Sequence, residues 1–594
     1  MDNPFEFKYP DEINPKDVMD LFVPVFGEYY NVPKSGHTFI NGARGSGKSM
    51  MFRYMKPDCQ ILINSEGKTL KRKRNIKSLD YFGIYIPIKK GQLNKTDIKL
   101  NDKHGEALLN EHYMVLHFSI VIFKELLNTN FQETIKNQNA FLDFYNDSFC
   151  KLLKYAGYIS QTEFTKEVTV RNILVHTIDL LKSLSSDFQH NYIHKLIGRS
   201  DPLPYNGPIF LYSEFLYEVL KKIQRLPFMP DKPIYLLIDD ADELSVVQRM
   251  ILNSWVAMRT TTEVSLKIST QLKYRVFRTI NESRIDTPHD YSEVNINDIY
   301  TTQKDVYYKR IDEIVVKRLK KYKCEITDPT EYFPEDIQQA NNIEKKRIQY
   351  IDDKKSEGFT EAQAYDYAYR YTIPDFIKEL QGNRYTYSYA GFRQLVNISS
   401  GNIREFIDFA SEMYVNQQST NNNNPVKCIS HSIQDKEIKK VSDKKMESEF
   451  DKFREEAQNK RDMDKLRNLL LGMGGLFRVI LNSDTSERRV FSIALNDEPD
   501  EELRNILSLG IQHGYLQKSM IGNKYGTGKA RLYILNRILA PHFGLDPTSF
   551  AGYKFMNARI LKKSLTNPAG FIDIFKSKIK GAEKYNQPSL FENI

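Results

Sequence analysis

The sequence predicts an α/β fold, a parallel sheet flanked by helices, on three observations. A glycine-rich segment at 42–49 follows a short apolar strand and opens a helix. Residues 234–238 are uniformly apolar, as a strand buried on both faces of a parallel sheet must be. Around these segments strand and helix patterns alternate.

Taken in order, residues 1–36 are rich in proline and aromatics and lead into a core at 37–300. Residues 37–41 read as the first strand. A helix from Lys48 to about Met55 follows, then a second strand at 60–64. A basic run, 71–74, precedes a strand at 83–88. Residues from about 100 to 210 are mostly helical, for example 108–127 and 172–184, and form an insertion. After the strand 234–238 come a helix at 246–259, a strand at 264–269 and a strand at 291–296. Residues 301–415 are helical and charged, with Pro374 expected as a break. The Asn-rich stretch 416–427 reads as a linker, and a charged helix at 436–466 completes the segment 416–464. Residues 465–545 then run helix (464–481), strand (489–495), helix (501–513) and hairpin (516–521 with 531–535), a winged-helix order. An extension and polar tail occupy 546–594.

A chain of 594 residues is too long for one core, so roughly three or four domains or large insertions are expected. With 41% hydrophobic and 27% charged residues, the balance is that of a soluble globular protein. No apolar run is long enough to span a bilayer, and the start carries no signal-peptide pattern, so no membrane partner is expected. Cys59, Cys150, Cys324 and Cys428 are scattered, which suggests neither a zinc site nor a disulfide framework and fits a reducing cytoplasm. The net charge of +9 permits a nucleic-acid partner without requiring one.

Gly42, Ala43, Arg44, Gly45, Ser46, Gly47, Lys48 and Ser49 match G-x-x-x-x-G-K-[ST] in full. The glycines let backbone N–H groups turn inward around a phosphate, and the following helix points its positive end at the same anion. Lys48 is expected to reach the β- and γ-phosphates of ATP, and Ser49 to offer its hydroxyl to Mg2+. Such a loop needs a carboxylate at the tip of a neighbouring strand. The apolar strand 234–238 ends in Asp239 and Asp240, followed by Ala241, Asp242 and Glu243. Asp239 is the expected magnesium ligand, acting through water, and Asp240 stands where a residue polarising the attacking water would be. Asp242 and Glu243 also fit a plain helix N-terminus. Two strand–helix units account for only about 60 residues of the stretch between the two motifs. The rest is the helical insertion, and a lid, a partner surface and a specificity module all remain open for it.

These motifs, with a later polar-tipped strand and a Gly401-Asn402-x-Arg404 segment, resemble AAA+ ATPases of the origin-recognition-complex and initiator clade. The opening Asn3-Pro4-Phe5 with Asp11-Glu12-Ile13 looks like the start of prokaryotic members. The resemblance covers about 1–415 in pieces and part of 465–545. It implies an AAA+ core, a helical lid over 301–415 and head-to-tail self-association. It puts Ser269-Thr270 at the sensor-1 position, with Thr270 favoured, and Arg404 at sensor 2. Asn402 is a good N-cap, and a cation in the first helical turn opposes the dipole by about 0.3–1 kcal/mol, a local reason to expect an anion nearby. Arg284 falls where an arginine finger reaches a neighbouring subunit; Arg275 and Arg278 compete for that role. One departure is Asp240, where the family often has Glu. Asp is a methylene shorter, which fits a slow hydrolase or a nucleotide-gated switch.

The hairpin tip is rich in glycine and lysine and looks like a wing, with Lys524, Lys529 and Arg531 expected on DNA phosphates. The candidate recognition helix opens with Asp500-Glu501-Glu502, which repels a phosphate backbone, so a protein-binding wing is the alternative. In the tail, Gln587, Leu590 and Phe591 lie in a peptide similar to the one by which bacterial proteins bind the sliding clamp; docking on its own domain is the alternative. Two rival functions stand beside the initiator reading. One is a signalling or antiviral-defence ATPase that activates an effector protein, and the other is a nucleotide-binding adaptor.

Overall fold

The computed structural model describes residues 2–6, 12–24, 27–63, 70, 74–91, 93, 103–128, 138–159, 162–198, 207–260, 262–271, 274, 276–296, 304–382, 386–422, 424–457, 459–483, 489–522, 528–548 and 552–578. Lys524, Arg275, most of the basic run 71–74, and the tail residues Gln587, Leu590 and Phe591 lie outside these. The chain divides into two compact units, 8–297 and 1–7 with 298–594. No helix among the described residues is long and apolar enough to cross a membrane.

The first unit is built on a five-stranded sheet of β1 (Thr38–Asn41), β2 (Phe82–Pro87), β3 (Ile234–Asp239), β4 (Val264–Thr270) and β5 (Ser292–Asn295). The strand order is β2-β3-β4-β1-β5, and every neighbouring pair is parallel. Every residue of β3 and β4 is buried, because helices cover both faces. Each Leu or Ile so placed contributes about 1.5–3 kcal/mol over exposure. The carboxyl ends of β3, β4 and β1 therefore lie side by side, and the loops that leave them build the site.

Among the described residues, the helical insertion shares the core of the sheet. Helix Lys103–Asn128 packs on helix Val170–Gly198, on helix Val246–Ala257 and on β2. Its Phe118 meets Trp255 edge to face, and Tyr212 stacks on Trp255 with centroids 4.5 Å apart. These side chains belong to the same buried cluster as the sheet.

Residues 60–63 do not form the second strand expected over 60–64, of which Asn64 lies outside the described residues. Pro57 opens a four-residue helix, Pro57–Gln60, where its missing N–H is not needed. Ile61 and Ile63 reach the core through a turn. The short apolar run Ile61-Leu62-Ile63 is satisfied by tertiary packing instead.

Three histidines give this unit a pH signature. His37 Nδ1 accepts the Leu266 N–H at 3.0 Å, and His112 Nδ1 accepts that of Phe210 at 3.1 Å. Burial lowers both to about 4, with Lys267 adding to the effect at His37; burial and Lys124 lower His117 to about 4 as well. The unfolded chain binds these protons near 6.5 and the folded chain only near 4. Stability is thus intact above pH 6.5 and falls as pH drops toward 4, by about 2 kcal/mol per histidine at pH 5. Urea midpoints at pH 7.5 and pH 5 are expected to show this loss, and His112→Gln to lessen it; a flat profile contradicts the assignment.

In the second unit, helix Lys304–Lys321 and a hairpin of helices Ile337–Ser356 and Glu361–Gly382 precede helices Phe392–Ile398 and Ile403–Thr420. Pro374 does not break the chain as expected: it sits inside Glu361–Gly382. Proline removes one backbone bond there, while the buried Ala364 and Ala368 pack with Ile351 of the partner helix, and within the same helix Thr372 Oγ1 donates to the Ala368 carbonyl (2.7 Å). The expected linker at 416–427 begins inside a helix, since Ile403–Thr420 takes its first five residues, and its described residues beyond Thr420 are turn and loop. The expected charged helix at 436–466 is three: His431–Met446, Ser448–Glu456 and Lys460–Leu481.

The carboxyl-terminal part carries β6 (Val490–Leu495), β7 (Leu516–Gly522), β8 (Lys529–Leu535) and β9 (Gly552–Met556) in the order β7-β8-β6-β9. Helix, strand, helix and hairpin follow in the expected order, with helix Glu501–Gln512 between β6 and β7. Strand β9, parallel to β6, was not anticipated. Helix Lys460–Leu481 contains Gly474 and Gly475, where an added Cβ would stand 2.5 Å from Phe543 and 2.3 Å from Ile572. The glycines admit that close packing, which offsets their helical cost.

Candidate functional site

The loop between β1 and helix Lys48–Tyr54 turns through Gly45 (φ 88°) and Gly47 (φ 95°), a left-handed backbone that favours glycine. At Gly42 an added Cβ would lie 2.7 Å from Ser46 Oγ and 3.3 Å from Ile296 Cβ, so a side chain there would displace the Ser46 hydroxyl. The buried Ser46 Oγ has no hydrogen-bond partner among the described residues. Arg44 is exposed at the tip, and Ser49 is half-buried. Lys48 is 5% exposed, and its Nζ donates to the Gly42 carbonyl (2.8 Å) and the Ala43 carbonyl (3.0 Å). Burial lowers its proton affinity, and Asp239, Asp240 and Asp242 oppose that shift. Lys48 therefore shares one electrostatic environment with the three aspartates.

Asp239 ends β3 and is 2% exposed. Both of its carboxylate oxygens are held: Tyr85 Oη donates to one at 2.9 Å, and Ser269 Oγ donates to the other. Asp240 differs in each respect. It is half-buried, and its carboxylate accepts no hydrogen bond among the described residues. Burial, then Asp239, pushes it up to about 7, against the pull of Lys48. Its backbone is left-handed, φ 54° and ψ 44°, at the start of the short turn Ala241–Glu243. Asp tolerates that region better than Glu, since its short side chain can bond locally. This gives a backbone reason for the shorter acid here. Asp242 is tied to the end of β4, accepting the Gln271 N–H at 3.0 Å. The helix that follows is capped by Ser245 in a capping box with Gln248, so the aspartates are not its cap.

Thr270 ends β4 beside the loop, and its carbonyl accepts the Gly42 N–H at 3.1 Å. Its hydroxyl donates to Asn41 Oδ1. Ser269, not Thr270, meets Asp239, because neighbouring residues of a strand point to opposite faces. Sequence reasoning overlooked Asn41 and Tyr85. A tyrosine between Ile84 and Ile86 in a buried strand was the available signal, since a buried phenol needs a partner.

The structure thus brings Lys48, Asp239, Asp240 and Asp242 together, with Thr270 beside Gly42. Arg284 is elsewhere, on a turn where Arg278 and Arg284 pair across an isolated antiparallel bridge. It is 78% exposed and lies 3.1 Å from Asp286; Arg278 lies 3.3 Å from Glu282. Arg404 belongs to the other compact unit. Asn402 caps its helix, accepting the Arg404 and Glu405 N–H groups, and Arg404 lies 3.6 Å from Asp408. In the carboxyl-terminal sheet Lys529 is exposed, and Arg531 pairs with Glu498 at 2.5 Å. Asp500 and Glu502 pair with Lys562 at 2.5 and 2.7 Å.

The donor set fits a magnesium–triphosphate group. It offers an inward-turned glycine loop with an orphaned buried hydroxyl, a buried lysine, a hydroxyl at Ser49 and a buried carboxylate at Asp239.

The family model for ORC-CDC6-like proteins matches residues 3–365 and 352–555 of this chain. No curated protein and no solved structure matches it.

Proposed function

The chain belongs to the ORC-CDC6-like family of AAA+ ATPases, and from that premise we propose that it binds ATP with Mg2+ at Gly42–Ser49, hydrolyses it slowly, assembles with copies of itself and acts on DNA. The observation that carries this reading is the shared environment of Lys48, on the loop after β1, with Asp239 and Asp240, at the tip of β3, these being the two strands that flank β4.

In this reading Lys48 leaves the Gly42 and Ala43 carbonyls for the β- and γ-phosphates, and Ser46 Oγ gains a phosphate partner. Ser49 and Asp239 hold the magnesium, whose charge, when bound, offsets that developing on the phosphate oxygens. Asp240 orients and deprotonates the attacking water. A proton affinity near neutral suits that task, and an unpaired carboxylate leaves it free to act. Thr270, linked through Asn41 to the loop, senses the γ-phosphate. Arg404 contributes from the lid, and Arg284, on its exposed turn, supplies transition-state charge to a neighbouring subunit. The test is turnover by the full chain with and without duplex DNA, and by Arg284→Ala mixed with Lys48→Ala. DNA stimulation and partial rescue in the mixture are expected; unstimulated, concentration-independent turnover contradicts the reading.

A second reading is a nucleotide-switched signalling or defence ATPase that activates an effector protein. The pairing of Arg531 with Glu498 and the acidic start of helix Glu501–Gln512 favour it, because they disfavour a phosphate backbone on that face. Turnover stimulated by a protein and not by DNA is its signature.

A further inference from the structure

We propose that Tyr85 and Ser269 are positioning residues for the metal-holding carboxylate, gripping Asp239 from the two strands that flank β3. The inference rests on the nucleotide reading of the site and extends it to residues outside the phosphate loop and the paired aspartates.

The grip is two-sided. In the register of β2 on β3, Pro87 stands beside Asp239 and Tyr85 beside Leu237. Tyr85 is 8% exposed and reaches past one residue pair to donate its hydroxyl to one Asp239 oxygen at 2.9 Å. From β4, Ser269, wholly buried, donates to the other oxygen. The same Ser269 Oγ accepts the Asp240 N–H at 3.0 Å. One hydroxyl thus sets both the plane of the Asp239 carboxylate and the left-handed turn that aims Asp240.

A buried carboxylate at a strand tip has rotational freedom about its last bond unless donors remove it. A magnesium ion held through water requires its remaining lone pairs in fixed directions. Hydroxyl donors on both oxygens supply that constraint and satisfy a charge that burial would otherwise leave costly. Partners of this outer kind change metal affinity by about 10–100-fold when removed. The hydrogen bonds described for the two hydroxyls go to Asp239 and to the Asp240 N–H rather than to the phosphate loop, so their removal is expected to act on metal-dependent binding first.

The test uses a fluorescent ADP bound to the full-length protein in EDTA and in Mg2+. For the native protein Mg2+ is expected to tighten binding. In Tyr85→Phe, which removes one oxygen and keeps the ring, affinity in EDTA is expected to stay within twofold. The tightening by Mg2+ is expected to shrink about tenfold. Ser269→Ala is expected to behave the same way, and Ser269→Thr, which restores a hydroxyl, to recover most of the loss. Tyr85→Phe and Ser269→Ala with native Mg2+ tightening overturn the proposal. So does Ser269→Thr failing where Ser269→Ala fails, since the effect is then one of packing. Should Tyr85→Phe not fold, the two Ser269 variants decide alone. If the native protein binds no ADP in either buffer, it is the nucleotide reading that fails.

Discussion

Lys48→Ala is expected to abolish ATP binding, with affinity lowered on the order of 100-fold or more. The size of the effect follows from the charges around the loop. Lys48 faces Asp239, Asp240 and Asp242, and it is the cation that offsets them. Without it a polyanionic triphosphate would meet three carboxylates, Asp239 buried and Asp240 and Asp242 half-buried, where charge is poorly screened. The backbone amides of the loop remain, but their partial charges do not outweigh that repulsion. The substitution also frees the carbonyls of Gly42 and Ala43, which Lys48 now bridges. Thermal unfolding of the variant without nucleotide separates that structural cost from the binding loss. Titration of a fluorescent ATP decides the matter: affinity near that of the native chain would refute the assignment of the loop.

Asp240→Asn is expected to keep ATP binding within a few fold and to lower turnover by about 100- to 10,000-fold, the range of a general base. The substitution is unusually clean here. Asn accepts the left-handed backbone at this position, φ 54°, as readily as Asp. The Asp240 N–H still bonds Ser269 Oγ, so Asp239 stays in place. What is lost is the carboxylate that can take a proton. Asp240→Glu, which restores the residue the family often has, is expected to be less stable than the native protein, because Glu is less suited to φ > 0. Single-turnover ATP cleavage beside nucleotide affinity measures the split. Native turnover in Asp240→Asn would mean that another residue activates the water.

Much of the site was legible along the chain, and the reason is locality. Gly42–Ser49 is a contiguous pattern whose glycines are demanded by backbone geometry within the loop itself. The tip of β3 was legible because a strand covered on both faces has to be apolar throughout, and 234–238 is. Asn402 was legible as a cap because capping involves only its own next turn. Where neighbours in space decide, the reading failed. The apolar run from Ile61 to Ile63 looked like a strand and is mostly turn, since a short apolar run can be buried without joining a sheet. Pro374 looked like a break and lies within a helix, since packing of the hairpin outweighs one missing hydrogen bond. Strand β9 went unseen because its partner, β6, is distant in sequence.

By itself the sequence determined the α/β class, the glycine-rich turn after β1 and the acids at the tip of β3, because each depends on residues close together in the chain. Only the tertiary structure decided that Ser269 rather than Thr270 meets Asp239, that Tyr85 completes its grip, and that Asp240 is left unpaired and left-handed. Those outcomes depend on which strands become neighbours and in what register. Pairing of that kind is fixed by burial of the whole sheet and is not written in any one segment.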